Sequence, residues 1–219
     1  MNERGEPAGA VRVKICGVTR AGDARRAVDL GADFLGLNFY PRSPRFIAAD
    51  AARAIADEVR GQVRLVGVFV NESPQRVEEI AEQVGLDLLQ FHGDEGAADL
   101  APFGERAIKV VRCGGRPDAA ELESFAAVWG FLLERRHPRL YGGAGEEWDF
   151  RQAADPPTSK PVLLAGGLGP ENLRRALREA RPWGVDVCSR VESAPGVKDP
   201  RLLERLFQEA HDAQAPAAR

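Results

Sequence analysis

The feature that most constrains this chain is a rhythm: short apolar runs alternate with amphipathic stretches from residue 11 to residue 210. The apolar runs near 11–16, 34–39, 64–70, 87–91, 106–111, 128–133, 161–165 and 184–188 read as strands. Between them, 21–31, 49–60, 74–84, 95–103, 118–126, 149–155, 170–180 and 200–210 read as helices. Local signals agree. Ser73-Pro74 offers an N-cap followed by proline at the first helical position, and Gly169-Pro170-Glu171 puts a proline and an acid in a first turn. Gly31, Gly85 and the R-P-W-G stretch at 181–184 mark helix ends. Eight βα units with no break in composition predict a single-domain (β/α)8 TIM barrel over 11–210. The rival is an open doubly wound sheet, but no G-x-G-x-x-G follows the first strand.

Composition narrows the possible partners. With 219 residues, 44% of them hydrophobic, the chain can bury a full core. A net charge of -3 gives no general attraction for nucleic acid or an anionic membrane, and no apolar run approaches the roughly 20 residues needed to span a bilayer. Three cysteines, Cys16, Cys113 and Cys188, are far apart and lack metal-ligand spacing, and no signal peptide precedes them. A reduced, cytoplasmic protein is the expectation. Residues 1–10 and 211–219 are small and polar, and read as a flexible N-terminal extension and C-terminal tail.

Alternation along the strands points to a site. A strand buried on both faces has no use for polar side chains unless they meet something. In V-R-V-K-I-C-G-V-T-R, Lys14 and Cys16 share one face. Extending that reading turns Lys14, Cys16, Asn38, Gln90, His92, Lys109 and Asp186 inward, most of them near strand ends, where barrel active sites form. Singly, each fits a satisfied core group or a solvated rim residue. Together they describe a polar pocket in the barrel mouth. The seventh and eighth strands run into A-G-G-L-G-P-E-N-L and D-V-C-S-R-V-E-S-A-P-G, in the order in which barrels commonly bind phosphate through backbone N–H groups. Gly166 and Gly167 would let the backbone approach an anion closely.

These motifs, with F-Y-P-R-S-P-R-F-I, V-G-V-F-V-N, L-Q-F-H-G-D-E and the Y-G-G-x-G stretch, resemble those of phosphoribosylanthranilate isomerases over about residues 11–208. The resemblance implies a barrel without metal or cofactor that performs an Amadori rearrangement in tryptophan synthesis. N-(5-phosphoribosyl)anthranilate would become 1-(2-carboxyphenylamino)-1-deoxyribulose 5-phosphate. Partners would be limited to that small phosphorylated substrate, with monomer and homodimer both open. The resemblance implies that Cys16 is the general base and that Arg45 meets the anthranilate carboxylate, for which a guanidinium fork is suited. It places His92 and Asp186 in the substrate pocket, and Gly166, Gly167, Ser189 and Arg190 at the phosphate. A nearby cation favours a thiolate, and Lys14 shares the face of Cys16.

The chain departs from the family pattern in three places. Glu134, in F-L-L-E-R-R-H, stands where an aspartate serves as general acid. It keeps the carboxyl but reaches about one methylene further. G-G-[ST]-G-K becomes Gly142-Gly143-Ala144-Gly145-Glu146, and the glycine of D-V-S-S-G-V-E becomes Arg190. Arg190 would either add a cation to the phosphate loop or obstruct it. An active isomerase is the leading expectation. The alternative is a paralogue of reduced or lost activity that binds a phosphorylated or aromatic small molecule. Cys113 and Cys188 read as small buried apolar residues.

Overall fold

The structure, a computed structural model, describes residues 11–135 and 149–214. Eight parallel strands close into a barrel in sequence order: β1 (Arg12–Ile15), β2 (Phe34–Asn38), β3 (Arg64–Phe69), β4 (Leu88–Phe91), β5 (Ala107–Cys113), β6 (Gly130–Arg135), β7 (Val162–Leu164) and β8 (Gly184–Val187). Closure between β8 and β1 pairs Lys14 with Asp186. Among the described residues there are seven α-helices: α1 (Ala21–Asp29), α2 (Ala49–Val59), α3 (Pro74–Val84), α4 (Ala97–Leu100), α5 (Ala119–Ser124), α6 (Leu173–Ala180) and α7 (Pro200–Gln214). Among the described residues, none is long and apolar enough to cross a membrane.

Local rules explain the best-formed helix. In α3, Val77, Ile80, Ala81 and Val84 recur at helical spacing and are the buried face. Ser73 caps it by accepting from the Arg76 N–H at 3.3 Å, Pro74 opens it, and Gly85 closes it in the left-handed region at φ 77°. Elsewhere the expected helices are shortened. Pro102 ends α4, leaving four residues where 95–103 was expected, with a 3-10 turn at Gly104–Arg106. The stretch expected as a helix over 149–155 is a 3-10 turn, Phe150–Ala153, before Pro156-Pro157; it is anchored by the fully buried Phe150 ring. α6 begins at Leu173 rather than 170, because the Asn172 side chain is spent on the loop before it. α7 continues four residues past the expected 210.

Two cores result. The larger fills the annulus between strands and helices, with Leu35, Phe69, Phe91, Phe131 and Leu133 pointing outward under the helices. The smaller fills the barrel itself, with Phe34, Val66, Leu88, Ile108, Val110, Leu132, Leu163 and Ala165. Each fully buried large apolar side chain contributes about 1.5–3 kcal/mol. At the N-terminal end of the strands the inner core is closed by aromatic rings: Phe34, Trp129 and Trp183 meet at centroid distances of 5.4–6.1 Å, with the Arg64 guanidinium over Phe34 and Trp129.

Ile108 and Val110 belong to the inner core, which corrects the reading of β5. Lys109 points outward, in register with the outward Phe91. Its ammonium donates to the carbonyls of Glu95 (2.8 Å) and Gly93 (3.4 Å), lies 3.5 Å from the Glu95 carboxylate and sits over the Phe125 ring. Those local acceptors make an outward buried lysine tolerable. Burial holds its pKa below the ordinary lysine range.

Candidate active site

At the C-terminal strand ends, the inner face carries two polar groups of side chains. The first belongs to β1 and β8. Lys14 is fully buried and donates to Asp186 Oδ1 at 2.7 Å. A Cβ placed on Gly36 would lie 2.7 Å from Cys16 Sγ and 3.0 Å from Lys14 Nζ. Only the bare backbone of glycine at that point of β2 leaves room for thiol and ammonium together. One cation therefore serves two potential anions. Burial opposes a charged Lys14, but Asp186 and Cys16 outweigh it and raise its pKa. Burial pushes the Asp186 carboxyl up to about 6 against the pull of Lys14, and a thiolate at Cys16 pushes the same way. The Cys16 thiol is held well below its ordinary range, first by a hydrogen bond from Cys188 and then, against burial, by Lys14 and Lys198. Cys188 is shifted up correspondingly, through that same bond and through burial.

A short antiparallel ribbon after β8, β9 (Glu192–Ala194) and β10 (Val197–Lys198), braces this half. Lys198 is almost completely buried and donates to the Cys16 carbonyl and to Glu192 Oε1 at 2.8 Å. Glu192 in turn receives Arg45: Nε is 3.0 Å from both carboxylate oxygens and Nη2 is 2.7 Å from Oε2. Burial works against the Glu192 charge, yet Arg45 and Lys198 prevail and lower its pKa. Arg45 thus sits at the mouth, where a Cβ on Gly17 would meet its Cδ at 2.5 Å, with one edge of its guanidinium already held.

The second group belongs to β4, β5 and β6. Gln90 Nε2 lies 3.2 Å from His92 Nδ1, and His92 Nε2 lies 3.0 Å from Glu134 Oε2. With the amide nitrogen facing Nδ1, that ring nitrogen accepts, so Nε2 carries the hydrogen and donates to Glu134. Gln90 is 1% exposed, and its Oε1 has no hydrogen-bond partner among the described residues. Arg112, in register with Glu134, donates to the His92 carbonyl. A positive charge on His92 would favour the Asp186 carboxylate, so the two groups share one mouth.

The loop after β7 joins them. Gly166 and Gly167 have φ of 96° and 69°, in the left-handed region that favours glycine, and a Cβ on Gly166 would lie 3.7 Å from Glu134 Cγ. Asn172, 4% exposed, clamps this loop by accepting from the Gly169 N–H and donating to the Gly167 carbonyl, both at 2.9 Å. Ser189 and Arg190 lie in a 3-10 turn, Ser189–Val191. Arg190 adopts no left-handed conformation, so its side chain is accommodated without backbone strain. It lies against Gly169, whose added Cβ would be 2.6 Å from Arg190 Cβ.

The structure thus brings Lys14, Cys16, Asp186, Gln90, His92 and Glu134 to one mouth, with Arg45 and the Gly166-Gly167 loop at its rim. Asn38 is turned to loop-building instead, accepting from the Tyr40 N–H and donating to Ser43 Oγ. Cys113 is buried as expected, and burial pushes its thiol up to about 11. Cys188 is not a buried apolar filler; it is partly exposed beside Cys16. Gly142, Gly143, Ala144, Gly145 and Glu146 lie outside the described residues. Sequence reasoning missed Gly36, Arg112, Asn172, Glu192 and Lys198. Arg112 was within reach, since it follows Ile108 and Val110 by alternation once those two are placed inward. Among the described residues, no group of three or more His, Cys, Asp or Glu side chains could hold a metal ion.

A closed (β/α)8 barrel with a thiol and a hydrogen-bonded carboxyl on its inner rim, next to a glycine-lined loop, belongs to the class of barrel enzymes that move protons on small molecules. Comparison with known proteins sharpens the class to a family. The model of the family described as N-(5'phosphoribosyl)anthranilate (PRA) isomerase matches residues 13–209. An N-(5'-phosphoribosyl)anthranilate isomerase from Thiobacillus denitrificans is 46% identical over 202 residues, 92% of this chain and 98% of that protein. The crystal structure of phosphoribosyl anthranilate isomerase from Thermus thermophilus superposes with a TM-score of 0.85 at 38% identity, covering 93% of this chain and 100% of the other. A phosphoribosyl anthranilate isomerase solved in complex with reduced 1-(o-carboxyphenylamino)-1-deoxyribulose 5-phosphate superposes with a TM-score of 0.77 at 34% identity, over 92% and 99% of the two chains. The chain belongs to the phosphoribosylanthranilate isomerase family.

Proposed function

We propose that this chain is an active phosphoribosylanthranilate isomerase of tryptophan synthesis, converting N-(5-phosphoribosyl)anthranilate into 1-(2-carboxyphenylamino)-1-deoxyribulose 5-phosphate. The observation that carries the reading is the placement of Cys16 and Glu134. Both face one mouth, three strand positions apart round the barrel, each already tied to a group that sets its proton. Opening the furanose ring requires a proton on the ring oxygen as its bond to C1 breaks, and Glu134 supplies it, oriented by His92. Opening leaves an iminium that acidifies the C2 hydrogen. The Cys16 thiolate, kept charged by the Cys188 hydrogen bond and by Lys14, takes that proton and leaves an enolamine. Return of a proton at C1 and loss of one from the C2 hydroxyl give the ketone, with no net change in oxidation state of the whole molecule.

Anion binding follows the rim. The Gly166-Gly167 loop and the 3-10 turn carrying Ser189 and Arg190 receive the phosphate, and the Arg190 guanidinium adds charge there rather than plugging the site. Arg45, with one edge held by Glu192, faces the anthranilate carboxylate as a fixed cation, and Asp186 borders the sugar. The test is turnover of freshly prepared substrate, followed by loss of its fluorescence, together with complementation of a strain lacking the isomerase. Turnover that disappears in Cys16→Ala and in Glu134→Gln supports the assignment. Rates unchanged in both variants end it.

A further inference from the structure

The mouth holds a second thiol that carries no proton in the isomerisation, although its hydrogen bond helps to hold Cys16 deprotonated. β1 and β8 pair with Ile15 opposite Val187, and the Cys16 N–H donates to the Val187 carbonyl at 2.9 Å, so the ladder reaches the next step. That next step sets Cys16 opposite Cys188. Neighbouring strands lie about 4.8 Å apart, inside the Cα separation of about 4.4–6.8 Å that a disulfide spans. Both side chains are at the mouth. Cys16 Sγ lies over Gly36, and Cys188 Sγ lies where a Cβ on Gly17 would meet it at 3.1 Å. Cys188 is partly exposed, so a molecule as small as a hydroperoxide can reach the pair. The third cysteine, Cys113, is buried on the opposite face of the wall among the annular core, bonded to the Val111 carbonyl.

We propose that Cys16 and Cys188 form a peroxide-modification site, closing to a reversible disulfide that withdraws the Cys16 thiol from catalysis. The Cys16 sulfur attacks one oxygen of hydrogen peroxide. The O–O bond breaks, and hydroxide leaves and takes up a proton as water, which gives a sulfenic acid. The Cys188 thiol gives up its proton and its sulfur attacks the Cys16 sulfur. The S–O bond breaks and a second water departs. Two thiols and one peroxide become one disulfide and two waters; each sulfur loses one electron, and the peroxide gains two. Lys14 and Lys198 favour the attacking thiolate at Cys16, and Cys188 supplies the resolving thiol before a second peroxide can carry the sulfenic acid further.

Only the consequence for turnover rests on the proposed role of Cys16; the cross-link itself does not. The experiment treats the full chain with a small excess of hydrogen peroxide and follows intact mass, peptide maps and isomerase rate. Expected are a mass loss of two hydrogens, a Cys16–Cys188 linked peptide pair, and a rate that falls about tenfold or more and returns with dithiothreitol. In Cys188→Ser, compared with its own untreated rate, Cys16 gains two oxygens and dithiothreitol restores nothing. Sulfinic acid at Cys16 with Cys188 still open to alkylation in the wild-type chain would overturn the proposal, as would a link through Cys113. The wild-type peptide map decides this even if the variant folds poorly. A linked pair in a chain whose reduced form has no isomerase activity would sink the functional assignment and leave the modification site standing.

Discussion

The two halves of the mouth solve the same problem by opposite means. On the β1/β8 side, charge is concentrated: Lys14, Lys198 and Arg45 are threaded through Asp186, Glu192 and a thiol, with the two lysines and the thiol buried and the other three half-buried. On the β4/β6 side, proton positions are set through hydrogen bonds, from the Gln90 amide to the His92 ring to the Glu134 carboxyl. The difference matches the tasks proposed for them. A base must be held deprotonated, which takes cations in a dry setting. An acid must carry a proton and aim it, which takes orientation more than charge.

The sharpest way to break that contrast is to delete the thiol. Cys16→Ala should lower kcat by about 1000-fold, within the usual range for removing a positioned acid or base, while His92 and Glu134 stay paired. Steady-state kinetics check it; a loss of less than tenfold would mean that proton abstraction is not on the charged side. Next comes Gly36→Ala, which forces a methyl group to within 2.7 Å of the Cys16 sulfur. Displacing a base by about 1 Å costs about 100-fold, so kcat should drop by that order with little change in KM.

The third test concerns Asp186, whose carboxyl holds its proton to about pH 6. An unfolded carboxyl releases it near pH 4. Between those values the folded chain binds a proton that the unfolded chain has lost, so this group makes unfolding free energy fall as pH rises from about 4 to about 6. The drop should be on the order of 2 kcal/mol, measured by urea unfolding at several pH values. Asp186→Asn should flatten it. A slope that persists in the variant would assign it to other groups. The smallest effect belongs to the hydrogen-bonded side. Gln90→Leu frees the His92 tautomer, so kcat should fall about tenfold with KM nearly unchanged. A loss as large as that of Cys16→Ala would erase the distinction between the halves.

Much of this was legible before any coordinates. Alternation in β1 and β4 put Lys14, Cys16, Gln90 and His92 on the inner face correctly, because the pattern there mixes polar with strongly apolar residues. It misled at β5, where A-I-K-V-V-R-C offers Lys109 as the obvious inward polar residue. The structure chose Ile108, Val110 and Arg112, since the inner core needed two apolar side chains there and the Glu95 loop could satisfy an outward ammonium. In sequence Arg190 read either as an added cation or as an obstruction. Its 3-10 backbone and the bare surface of Gly169 make room for it. Glu192 stood in the D-V-C-S-R-V-E-S-A-P-G motif and Lys198 two residues beyond it, yet only the ribbon after β8 turns them back beneath Cys16.

By itself, the sequence determined the order of the eight strands and of seven of the eight expected helices, the closed barrel and which end bears the chemistry, because periodicity and punctuation are local and repeat along the chain. Tertiary structure alone decided the pairings: Lys14 with Asp186, Arg45 with Glu192, His92 with Glu134, and Cys16 beside Cys188. Most of these join residues far apart in sequence, and only barrel closure sets their register. Buried charge is tolerable only where that register supplies an opposite charge or a hydrogen bond.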